Sequence, residues 1–80
     1  MDINLARHIV RSAFRSSREL TDLMELLRVQ FSADEYKDYA LGIAAAIDGI
    51  NVALLNKVLL SHPELKKEIE YNLAKYDCYL

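Results

Sequence analysis

The chain has 80 residues but no tryptophan, one cysteine, one proline and two glycines. Each scarcity excludes something. A lone cysteine, Cys78, rules out an intramolecular disulfide and a cysteine-cluster zinc site. Its expected state is an idle free thiol in a reducing compartment. So few glycines and prolines leave little turn punctuation, which favours a few long helices over many short strands. Charge of one sign is also missing: 10 Lys and Arg face 12 Asp and Glu, for a net charge of −2. The chain as a whole therefore lacks the basic balance of a nucleic-acid module.

Catalytic patterns are absent as well. The two histidines, His8 and His62, form no His-Glu-x-x-His pair, and each reads as an ordinary surface or helix-start residue. There is no Gly-rich phosphate loop, no nucleophile elbow and no Ser-His-Asp order. The expectation is a protein that is not an enzyme, with no cofactor, no metal site and no small-molecule substrate. A pocket around Asp48, Asn51 and a histidine is what an enzyme reading needs.

What is present is globular in character: 52% hydrophobic and 28% charged residues. The apolar residues at the start are spaced rather than continuous, so no signal peptide is expected. Ala40 to Leu60 is long enough for a bilayer. It also carries Asp48, Asn51, Asn56 and Lys57, and a charge near the centre of a span costs about 2.5–3.5 kcal/mol. The expectation is a buried helix of a soluble, cytoplasmic protein, with no membrane partner.

Three helices follow from periodicity and start signals. Ile3, Ala6, Val10, Ala13, Ser17, Leu20, Met24, Leu27 and Phe31 alternate spacings of three and four, one helical face, with Asp2 as N-cap. Ser16-Ser17 is its weakest point, yet the register continues across it. Ser32-Ala33-Asp34-Glu35 reads as a capping box, with Phe31 and Tyr36 placed for a hydrophobic staple. The second face holds Tyr36, Tyr39, Ile43, Ile47, Ile50, Leu54 and Val58, with a turn at Asp48-Gly49 as the alternative to one continuous helix. Ser61-His62-Pro63-Glu64 reads as a third start, followed by a face of Leu65, Ile69, Leu73 and Tyr76. Cys78-Tyr79-Leu80 are apolar enough to dock on the body. The expected fold is all-α: a three-helix up-down bundle with helices at about 3–31, 33–60 and 62–77, completed by dimerisation. Residues 1–80 form a single helical domain.

Helix two is apolar on more than one side, with Leu41, Val52 and Leu59 away from its main face. One chain of this size cannot cover such a helix. Gly42, Ala46, Gly49 and Ala53 form a seam of small residues spaced four, three and four. Small residues let helix axes approach closely. Either helix one or a second copy of helix two lies in that seam, and the core deficit of a short chain favours the second copy.

Helix one carries a second pattern. Arg7, Arg11, Arg15 and Arg18 fall within an arc of about 80°, opposite the apolar face. Arg15 has Glu19 and Arg18 has Asp22 one turn on, while Arg7 and Arg11 have no acidic neighbour on their own helix. The stripe reads as a solvated face paired with Glu64, Glu68 or Glu70, or as a site for phosphates or an acidic protein. The expected function is a small non-catalytic protein-interaction or regulatory module acting through a helical surface as a homodimer. Another protein is a possible partner. The alternative is a nucleic-acid-binding regulator using the arginine stripe.

Overall fold

The computed structural model describes residues 1–76, the side chain of Tyr76 excepted. The expectations for Tyr76, Cys78, Tyr79 and Leu80, and for a helix end at Asp77, lie outside the described residues. Helix α1 spans Ile3–Gln30. Asp2 caps it, its carboxylate accepting the Asn4 backbone N–H at 2.6 Å. Ser16 and Ser17 do not interrupt it. The Thr21 hydroxyl donates to the Ser17 carbonyl instead (2.9 Å).

Phe31 and Ser32 turn the chain. The Ser32 hydroxyl accepts the Glu35 N–H (3.3 Å) and donates to the Glu35 carboxylate (3.0 Å). This is the expected serine–glutamate cap, closed side chain to side chain. The aromatic partner of Phe31 is Tyr39, at a centroid distance of 5.2 Å, where Tyr36 was expected.

Helix α2 runs unbroken over Ala33–Ser61. The turn considered at Asp48-Gly49 does not form. The irregularity is a π-helical turn at Asn51–Leu55, between α-helical Ala33–Ile50 and Asn56–Ser61. The Asn56 N–H reaches back five residues to the Asn51 carbonyl. Sequence periodicity placed Leu54 on the core face. The π turn holds one residue more than an α turn, so Leu54 stands 42% exposed while Leu55 and Leu59 pack against the core. Tyr39, also expected inside, is exposed.

The third helix starts later than the capping-box reading of Ser61 implied. Proline disfavours the helical region for the residue before it, and His62 sits at φ −134°, ψ 72°. Ser61 therefore closes α2, and α3 begins only at Leu65, spanning Leu65–Tyr76.

The helices run up, down and up. Ala6, Val10, Val58, Leu65 and Ile69 form the main buried cluster, where the start of α1, the end of α2 and the start of α3 converge. Ile3, Ile9, Phe14, Leu55 and Leu59 pack around it. His62 ties the same end together, with Nε2 at 2.9 Å from the Met1 carbonyl and Nδ1 at 3.1 Å from Glu64 Oε1. Away from this end the molecule is a plate of one helix layer, 45 × 25 × 15 Å. Its radius of gyration is 14.7 Å, against about 12 Å for a compact chain of this length.

Candidate functional site

Helix α2 was expected to be buried. It is not: only 17% of its most apolar eighteen-residue window is covered. Ile43 and Val58 are its buried residues, while Leu41, Val52, Leu54 and Leu60 are exposed. The cause is geometric. A helix with α1 along one side and a short α3 at one end has most of its circumference open. By length and composition alone α2 could cross a membrane, and its two central charges, Asp48 and Lys57, are both exposed.

The small-residue seam lies on this open side. Gly42, Ala46, Gly49 and Ala53 are all exposed. A Cβ built on Gly42 or Gly49 meets no atom within 4 Å among the described residues. Helix α1 therefore does not occupy the seam, and the intrachain reading of it fails. Beside Gly42 opens a shallow groove of about 280 Å³ lined by Asp38, Tyr39, Gly42, Ile43 and Ala46. Its walls are mostly apolar, with one carboxylate at the rim.

The two edges of the seam differ from its floor. On a helix turning about 100° per residue, Leu41 and Val52 fall along one edge. Tyr39 and Leu54 fall along the other. Small residues between large apolar flanks form a shape that admits another helix at close range. Periodicity placed these four residues on one side of α2 but could not show that side open, because openness depends on where α1 and α3 lie.

The arginine stripe is split by its surroundings. Arg7 does not lie opposite the core. It is half-buried, and its Nε donates to both carboxylate oxygens of Glu68 on α3, each at 3.1 Å. Its Nη1 also donates to Asn4 Oδ1 (3.3 Å). This is one of the structural pairings expected of the stripe. A partly exposed ion pair of this kind contributes about 0.2–1 kcal/mol. Arg11, Arg15 and Arg18 are exposed, and neither Arg15–Glu19 nor Arg18–Asp22 closes an ion pair among the described residues. At the far end of α1, Arg28 pairs with Glu25 at 2.7 Å, which holds its pKa above the ordinary value.

Among the described residues no three His, Cys, Asp or Glu side chains come together as a metal site. His8 is exposed on α1, and His62 is engaged by Met1 and Glu64. Asp48 and Asn51 are exposed outside the α2 groove, and that groove holds no histidine. Glu64 has a lowered pKa, first through its own backbone N–H and then through His62, a local turn effect. No family model, no curated protein and no solved structure matches the chain.

Proposed function

We propose that this is a small, non-catalytic interaction module of the cytoplasm that acts through the open face of α2 and works as a homodimer. The observation behind this reading is a long apolar helix with only 17% of its most apolar stretch buried, and a glycine seam that no described residue fills. Contiguous exposed apolar surface of this kind marks an interaction site. The exposed area of the chain, 5802 Å², exceeds by roughly 900 Å² the value expected for a folded monomer of this mass. That excess is close to the roughly 800 Å² each partner contributes to a standard interface.

The nucleic-acid alternative has less behind it. Arg7 already has a carboxylate partner on α3, and the chain as a whole is acidic, with a net charge of −2.

The test is the mass in solution by light scattering across a concentration series, for the natural chain and for Gly49→Leu. The expected mass for the natural chain is twice its 9.2 kDa. Open space around Gly49 lets leucine enter the monomer without a clash, and leucine is the better helix former. Gly49→Leu should therefore keep its helicity and lose the dimer. A natural chain that stays monomeric at every concentration overturns the homodimer.

A further inference from the structure

The open face of α2 has a symmetry that specifies how a second copy would lie on it. From Asp38 the seam reads Asp38, Gly42, Ala46, Gly49, Ala53, Lys57, with spacings of four, four, three, four and four. These spacings are the same in both directions about the Ile47–Asp48 bond, with a small residue at each of the four inner positions and opposite charges at the two ends. In a regular α-helix Lys57 would sit about 100° away from Asp38. The π turn at Asn51–Leu55 absorbs one residue of that rotation and returns Lys57 to the side of Asp38. Both side chains are exposed, and neither closes an ion pair among the described residues.

We infer that two copies of this chain pair α2 against α2 in antiparallel fashion about a two-fold axis at Ile47–Asp48, with Asp38 of each copy facing Lys57 of the other. This inference rests on the homodimer reading and adds direction and register to it. At this register Gly42 faces Ala53 and Ala46 faces Gly49, so small residues meet small residues along the whole crossing. The axes can then approach to the near end of the usual 8–10 Å.

The flanks agree with the same register. Leu41 meets Val52 of the second copy on one side of the seam. Tyr39 meets Leu54 on the other. The groove beside Gly42 receives the apolar side chains that flank Ala53. An interface about a two-fold axis must be self-complementary in this way, each residue and its counterpart appearing twice. A parallel pair instead sets Asp38 beside Asp38 and Lys57 beside Lys57, and it aligns the two helix dipoles unfavourably.

Two measurements test the register, both in a Cys78→Ser background. The first is oxidative cross-linking of Gly42→Cys and Ala53→Cys chains. Antiparallel pairing predicts a disulfide when the two variants are mixed and little when either is alone. The second is charge exchange. Asp38→Lys or Lys57→Asp alone should weaken dimerisation by about five-fold or more, since each dimer holds two such pairs. The double variant Asp38→Lys/Lys57→Asp should recover to within about two-fold.

Cross-linking of each variant with itself but not in the mixture overturns the antiparallel register while leaving a homodimer. A dimer that forms no cross-link and ignores both charges places the interface elsewhere and also overturns it. A chain that stays monomeric and partitions onto vesicles of neutral and anionic phospholipid overturns both this inference and the homodimer, and assigns the face to lipid.

Discussion

The two ends of this molecule are made of similarly apolar sequence and have opposite fates. At one end Ala6, Val10, Val58 and Leu65 are nearly or wholly sealed from water. At the other, Leu23, Leu26, Val29 and Leu41 are exposed on the same two long helices. The difference is the third helix. The 12 described residues of α3, against the 28 of α1, reach along less than half the length of the pair. Where they lie, each long helix has two neighbours and a core closes. Away from them, among the described residues, each has one. Burial here is set by how many neighbours a helix has, and the hydrophobicity of its own residues does not change that.

The most direct way to break this contrast is to truncate one leucine at each end. Leu65, fully buried at the three-helix junction, should cost about 2–5 kcal/mol as Leu65→Ala, enough to unfold much of a small domain in a thermal melt followed by circular dichroism. Leu26, 58% exposed, should change stability by no more than about 0.5 kcal/mol as Leu26→Ala. Equal costs at the two positions would mean that the open end is covered in solution.

A smaller effect is expected midway along α1, where the two regimes meet. The Ser17 hydroxyl oxygen is buried without a hydrogen-bond partner among the described residues. An unsatisfied buried polar atom costs about 1–3 kcal/mol, and alanine is the better helix former. Ser17→Ala should therefore raise the urea midpoint, by an amount equivalent to about 1 kcal/mol. A loss of stability would show that the hydroxyl has a partner in solution.

The smallest effect belongs to the closed end. The Glu64 carboxyl is held below its ordinary value of 4.5, first by its own backbone N–H and then by His62. A depressed carboxylate contributes stability above its unfolded value and loses it as pH falls through its folded one. Urea midpoints taken from neutral pH downward should fall slightly less steeply for Glu64→Gln than for the natural chain. The exposure of the group to solvent keeps that difference small. Identical slopes would show that the turn makes no measurable contribution on the acid side.

Much of this was legible in the sequence because it is local. The Asp2 cap, the Ser32–Glu35 cap and the face of α1 each depend on residues within one or two turns of one another. Ser61 misled because serine and glutamate at capping-box spacing look alike whether or not a proline between them has already ended the previous helix. Leu54 misled for a longer-range reason. Its place is set by two separate stretches of core, Ile43 to Ile50 and Leu55 to Leu59, that must both face α1. The signal was the step of five residues from Ile50 to Leu55, which an α-helical template passes over. Arg7 was placed opposite the core because its partner, Glu68, lies 61 residues away on an element whose docking no local pattern gives. The openness of the seam was out of reach for the same reason: small residues announce a close approach without saying what approaches.

The π turn also constrains how this chain can change length. Removing any one residue from Asn51 to Leu55 would leave the profile of apolar residues almost as it is, and α2 would still be a helix. The wide turn would close to an ordinary α turn, so Val58 would keep its place in the core and Lys57 its face. A residue removed from α2 on either side of that turn would instead rotate everything beyond it by about 100°, and the fold depends on that phase.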